Sequence, residues 1–293
     1  MKPDTVLKNS FRLADGFPTM PDYRQVVATS SFKDMEHYSQ RFLEQHDFVA
    51  KQYRWGKDPL HQWSRQWEYP FVRQEIEAYL LRQAQLGRQG PVRILDAGSG
   101  ITFFPFMITE GWPSCEIVCC DVDATLGPLY QRIKSDSSGS GQVKFMVGDL
   151  SKLPFESGHF DLVYSVSVLE HTQNASAIVG ELRRLVKPGG ALVLSFDIGL
   201  DGVSWLNSAE AQGLLNRLHE LFAGGTVDVE REVARPDIVT SSRIAQTNKH
   251  LLPWVSPFIS LVLTSWRRRR MPAQLRKNLT FYCGSFAVPR AGS

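Results

Sequence analysis

A chain of 293 residues that is 43% hydrophobic and 22% charged has the composition of an ordinary globular enzyme, which excludes collagen-like, disordered and disulfide-framework classes. That length buries a substantial core, as one large α/β domain or a domain with an appended cap. A net charge of +3 is too small to mark a nucleic-acid-binding protein.

Along the chain, residues 1–31 carry prolines and polar residues without a sustained period and read as an irregular, partly mobile leader. From Phe32 to Tyr53, the apolar positions Met35, Tyr38, Phe42, Phe48 and Val49 recur at helical spacing. The loop GKDPLHQWSRQWEYP follows, and Pro70 suits the first turn of a second helix reaching about Leu86, ended by Gly87 and Gly90. After Pro91 the texture changes. Short apolar runs predict strands at Val92–Asp96, Glu116–Asp121, Val143–Val147, Phe160–Ser165 and Ala191–Phe196, and helical segments between them imply right-handed crossovers in a mostly parallel sheet. Ser208 caps a helix to about Phe222, Pro236–Arg243 suits a further strand, and Phe281–Val288 a final one.

The expected architecture is therefore α/β: a Rossmann-like three-layer sandwich with a mostly parallel seven-stranded sheet and an N-terminal helical cap. Residues 1–90 would form leader and cap and 91–293 the core, with an insertion at 246–277 acting as lid or interface. The stretch HLLPWVSPFISLVLTSWRRRRMP, His250 to Pro272, is too short and proline-broken to span a membrane. Its apolar run beside Arg267–Arg270 suits packing on the core or a dimer contact, with peripheral contact to an anionic membrane through 250–270 as the other reading. Cys115, Cys119, Cys120 and Cys283 form no CxxC pair, so no metal site or disulfide framework is expected. The first residues lack the apolar run of a secretory signal, and a cytoplasmic location is the expectation.

VRILDAGSGITFFPF, Val92 to Phe106, runs from strand through a glycine turn toward a helix. Such turns let ligand atoms approach the backbone. Counting from Gly98, the third glycine of a dinucleotide fingerprint falls on Phe103, which argues against NAD, and no phosphate-cradling GxxxxGK[ST] follows. A nucleoside ligand without pyrophosphate remains. Asp96 precedes the turn, Asp121 ends the second strand where an acid accepts hydrogen bonds from ribose hydroxyls, and Asp149 follows the third strand.

The ordered motifs LDAGSG, CCDVD, VGDLSKLPFESGHFDLVYSVSVLEHT and LRRLVKPGGALVLSF resemble class I S-adenosylmethionine-dependent methyltransferases, particularly the methyltransferase type 11 group, over about Val92 to Phe196. The resemblance implies S-adenosyl-L-methionine as cofactor. Asp96, Gly98 and Gly100 would line its methionine end, Asp121 with Val122 its ribose, Asp149 with Leu150 its adenine, and Ser165 would offer backbone groups. Thr102 stands where the family often has a third glycine. His171 is the candidate base, Glu170 reads as structural or near cofactor, and Asp161 as fixing a turn. In WSRQWEYP, read as a cap over the cofactor, Arg65 suits the cofactor carboxylate or an acidic acceptor, and Trp63, Trp67 and Tyr69 an acceptor. The other reading is an aromatic satellite core with Arg65 stacked on a ring or capping Glu68. The acceptor would be a small molecule, glycan or lipid-linked intermediate, nucleic acid is not expected, and a homo-oligomer is compatible. The competing reading is a catalytically silent scaffold of the same fold.

Overall fold

The computed structural model describes residues 11–52, 58–136, 142–202, 206–222, 225–252 and 278–290. Among the described residues four α-helices come first: α1 (Met20–Val27), α2 (Ser30–Gln45), α3 (Asp47–Ala50) and α4 (Arg65–Gln85). The α/β part then runs β1 (Val92–Ala97), α5 (Phe104–Gly111), β2 (Cys115–Asp121), α6 (Gly127–Asp136), β3 (Val143–Val147), β4 (Phe160–Val166), α7 (Ala175–Leu185) and β5 (Val186–Gly199). It closes with β6 (Leu206–Asn207), α8 (Ser208–Phe222), α9 (Val229–Val233), α10 (Ser241–Asn248) and β7 (Leu279–Ala287).

The sheet has seven strands in the order β3-β2-β1-β4-β5-β6, with β7 antiparallel to β5 and the other pairings parallel. Residues 92 and 94–97 of β1 and all but the last residue of β4 are buried, because helices cover both faces and leave no water-facing side. Alternation divides the side chains between two cores. Ile94, Ile117, Leu162, Tyr164 and Phe281 pack with α1, α2, α4, α5 and α6 on one face, and Leu95, Val163, Leu194 and Phe196 with α7 and α8 on the other. The N-terminal helices are thus built into a sheet layer.

Three segments differ from expectation. Residues 11–31 are ordered: Gly16 and Cys283 exchange backbone hydrogen bonds at 2.7 and 3.0 Å, and Thr19 caps α1. Helix α4 starts at Arg65, five residues before Pro70. Proline gives up one intrahelical bond there, and burial of Trp67, Tyr69, Phe71 and Val72 offsets the loss. Pro236–Arg243 is no strand of the sheet. Ile238 makes a single bridge to Thr19, and Thr240 accepts from the Arg243 amide to start α10. Of the insertion, residues 253–277, including Arg267–Arg270, lie outside the described residues, as does Tyr53.

Asp161 sits at the start of β4, fully buried. Its carboxylate takes Arg88 and Lys187, the Arg93 amide at 2.9 Å and the Tyr79 hydroxyl at 3.3 Å. The expected local turn contact is instead a clamp between α4's end, β1 and β5. Burial alone would raise its pKa, yet the Arg88 and Lys187 bonds hold it below the usual carboxylate range.

Candidate functional site

The site lies at the C-terminal ends of the parallel strands, where β1 and β4 adjoin and the crossovers leave to opposite sides. Leaving β1, the chain turns back on β2: the Gly98 and Ser99 amides both donate to the Cys120 carbonyl, at 2.8 and 3.0 Å. Gly98 has φ +78°, and a Cβ there would lie 2.5 Å from a Val168 methyl, so only glycine fits without movement. Gly100, at φ +52°, donates its amide to Asp121 Oδ2 at 2.8 Å, while the Asp123 amide donates to Oδ1 at 3.0 Å.

These two bonds orient the half-buried Asp121 carboxylate and leave acceptor lone pairs on both oxygens. Beside it, Val122 is 77% exposed and Val147, its register partner on β3, 52% exposed. An acceptor pair flanked by bare apolar side chains fits a ribose bearing a flat base. Leu150 is buried behind this shelf, and Asp149 is exposed, accepting the Ser151 amide at 2.8 Å, a bond that lowers its pKa.

Asp96 is buried and accepts the Tyr164 hydroxyl at 2.8 Å. Burial pushes its carboxyl up to about 7, against the Tyr164 bond and with help from Asp121. Ser165 is fully buried, its hydroxyl donating to the Ala97 carbonyl at 2.9 Å, which leaves main-chain groups to meet any ligand.

A second cluster forms where α4 meets the ends of β4 and β5. Glu68, fully buried, accepts the Ser167 and Ser195 hydroxyls on Oε1, each at 2.7 Å, and Arg65 on Oε2. Arg65 also donates to Ser167. Burial would push the guanidinium pKa down, but Glu68 and Tyr69 raise it above its ordinary value, so it stays charged. Ser167 is left-handed at φ +49°, a conformation costing about 1–2 kcal/mol for a non-glycine, and these bonds hold it there. Arg65 therefore stands in an ion pair within the protein. The Arg65–Glu68 pair is one of the sequence readings, whereas Ser167, Ser195 and Tyr164 escape it, since the contacts of Glu68 span 99 and 127 residues.

Glu170, on a 3-10 turn (Leu169–His171) after β4, is 7% exposed and neither carboxylate oxygen has a hydrogen-bond partner. Burial, then the nearby Asp197 carboxylate, raise its pKa far above the usual range. His171 on the same turn is exposed, its amide bonded to the Val168 carbonyl at 2.9 Å.

Of the aromatic trio, Tyr69 reaches the glycine turn. Its ring stacks on Phe104 with centroids 5.0 Å apart and meets Phe103 edge-on at 5.5 Å. Burial pushes that phenol up to about 12 despite Arg65. Trp63 is buried edge-on to Phe281 at 5.3 Å, and Trp67 is buried with its indole Nε1 unpartnered. Both face the core.

Elsewhere, a cleft of about 730 Å³ between leader, α8 and α9 shares no residue with the glycine turn. Among the described residues, no group of His, Cys, Asp and Glu has metal-ligand geometry, and no helix is long and apolar enough to cross a membrane. All four cysteines are buried free thiols.

Residues 95–194 match the methyltransferase domain family model. A malonyl-[acyl-carrier protein] O-methyltransferase of Legionella pneumophila is 27% identical over 138 residues, 47% of each chain. The ubiquinone/menaquinone biosynthesis C-methyltransferase UbiE of Pseudomonas paraeruginosa is 33% identical over 104 residues, 35% of this chain and 40% of its own. The match thus spans about half or less of these relatives. Among solved structures, a putative sarcosine dimethylglycine methyltransferase from Galdieria sulphuraria superposes with TM-score 0.45 at 14% identity, covering 75% of this chain and 86% of that one.

Proposed function

We propose that this chain, which belongs to the class I S-adenosylmethionine-dependent methyltransferases, moves the cofactor's methyl group to a small-molecule or lipid-linked acceptor bound over the ends of β4 and β5. The observation that carries the reading is Asp121: a carboxylate aimed by the Gly100 and Asp123 amides, with acceptor capacity left over and bare valines on either side. Asp121 would hold the ribose hydroxyls, Val122 and Val147 the adenine faces, and the Gly98–Gly100 backbone the methionine end.

The bound cofactor supplies a methyl group already activated on a sulfonium sulfur. What remains for the chain is to align the acceptor and exclude water. Tyr69, Phe103 and Phe104 form an aromatic wall behind the glycine turn. The Arg65–Glu68–Ser167 network fixes the backbone at the end of β4. His171, exposed on the adjoining turn, is placed to exchange protons with solvent.

Isothermal titration with S-adenosylmethionine and S-adenosylhomocysteine tests the reading. Both should bind the wild type, and Asp121→Asn should weaken each roughly 10- to 100-fold, the value of about 1.5–3 kcal/mol for a hydrogen bond to a charged group. No binding to the wild type at millimolar ligand would remove the proposal.

A further inference from the structure

Ser167 follows β4 with φ +49°, and among the described residues no other non-glycine has positive φ. That left-handed region is disfavoured roughly 5- to 30-fold for an L residue. Such backbones persist only where the surroundings over-determine them, and they cluster at functional sites. Here the surroundings do so. The Ser167 hydroxyl donates to Glu68 Oε1 at 2.7 Å and accepts from Arg65. Its amide donates to the Ser195 carbonyl at 3.1 Å, with Ser195 Oγ 3.3 Å away. Glu68 Oε1 also takes the Ser195 hydroxyl at 2.7 Å, so one fully buried carboxylate grips the ends of β4 and β5 together.

The consequence of that bend lies one residue on. Val168 is turned onto the glycine bend, where a Cβ at Gly98 would lie 2.5 and 2.6 Å from its two methyls. The Val168 carbonyl then accepts the His171 amide at 2.9 Å and starts the turn Leu169–His171. Contacts therefore run unbroken from Glu68 on α4, through Ser167 and Val168, to Gly98, whose backbone is proposed to meet the methionine end of the cofactor. We infer that Glu68 is a positioning residue for the cofactor: by holding Ser167 left-handed it keeps Val168 pressed on Gly98, and with it the binding shape of the Gly98–Gly100 bend. This role rests on the methyltransferase reading and deepens it, since cofactor seating then depends on a carboxylate of α4 that acts through the backbone. Conformation sets the size of the effect. Without the grip, Ser167 is left-handed only part of the time, and apparent affinity falls by that fraction.

The test compares Ser167→Ala with Ser167→Gly by isothermal titration of S-adenosylhomocysteine. Both variants lose the hydroxyl that Glu68 holds, and both leave Glu68 with Arg65 and Ser195, so no charge is orphaned. Alanine keeps the left-handed penalty with its offset removed, and its affinity should fall roughly 5- to 30-fold below wild type. Glycine adopts positive φ freely, and its affinity should stay within about threefold of wild type. Releasing the grip from the other side, Arg65→Met with Glu68→Met should weaken binding by a similar factor, and adding Ser167→Gly should restore it. A thermal melt of each variant establishes that the titrated protein is folded, and if Ser167→Ala melts too low, the double variant and its glycine rescue decide. Alanine and glycine variants that bind alike, whether near wild type or equally weakened, overturn the inference, because backbone shape then has no part in affinity. So does a double variant that Ser167→Gly fails to rescue. These outcomes leave cofactor binding by the wild type intact, whereas its absence would defeat the methyltransferase reading itself.

Discussion

Replacing Glu68 by methionine should cost about 4–6 kcal/mol of stability, far more than replacing Glu68 and Arg65 together. The single change leaves a guanidinium whose side chain is 18% exposed without its carboxylate, and removing one partner of a buried pair costs about 3–5 kcal/mol. It also strips the Ser167 and Ser195 hydroxyls of their shared acceptor, about 1 kcal/mol more. Arg65→Met should cost about 3 kcal/mol, because Glu68 keeps both serine donors. In the double variant the uncompensated charge is gone and two methionines fill the volume, so the loss should fall to about 1 kcal/mol, that of the serines. A urea-unfolding cycle over the four proteins should then give a coupling of several kcal/mol. If Glu68→Met stays within about 1 kcal/mol of wild type, or the double variant loses the sum of the singles, the network does not hold the end of β4.

Asp96 has its pKa raised from 3.8 to about 7, so the folded state favours its protonated form. Its contribution is complete below about pH 4 and is lost as pH rises through 7, about 4 kcal/mol at 1.36 kcal/mol per unit, and Asp96→Asn should flatten that slope in urea titrations at pH 4.5, 6 and 8. An unchanged slope would refute it. Gly98→Ala places a methyl 2.5 Å from Val168 at φ +78° and should cost about 1–3 kcal/mol, part of which Val168→Ala should restore in a thermal melt. Asp161→Ala, at the opposite edge, should cost about 3 kcal/mol by unpairing Arg88 and Lys187, with cofactor affinity measured by titration unchanged. Weakened binding would show that the two edges are coupled.

The strands were readable because each is a short apolar run covered on both faces and bounded by turn residues. Expected Val143–Val147 coincides with β3, and the other four parallel runs fall inside β1, β2, β4 and β5. Ser208–Phe222 was equally plain, since one face of α8 is buried and the period shows. The leader was not readable. Its order comes from Gly16 pairing with Cys283, and no local pattern reports a partner hundreds of residues away. The start of α4 was hidden for a different reason: Gln66, Trp67, Glu68, Tyr69, Phe71 and Val72 are all buried, so the first turns have no polar face to mark a helical period, and Pro70 suggests a boundary instead. Asp161 shows the same limit on the polar side, since SGHFDLV suggests a local turn where the fold builds a four-partner clamp.

That division extends to the site. The elements proposed to hold the cofactor, the glycine bend and the Asp121 carboxylate, are joined by contacts over 21 residues between consecutive strands, and spacing alone exposes them. The proposed acceptor side is bounded by α4, whose residues 65, 68 and 69 share one face at i, i+3 and i+4. On that face Arg65 and Glu68 meet Ser167 and Ser195, while Tyr69 meets Phe103 and Phe104 just after the glycine turn. One rigid helix face therefore touches both the glycine turn and the ends of β4 and β5. What the sequence suggested as a loop is, from Arg65 onward, a helix anchored by buried charge. On the proposed function, a change that loosens α4 should disturb acceptor alignment and cofactor seating together.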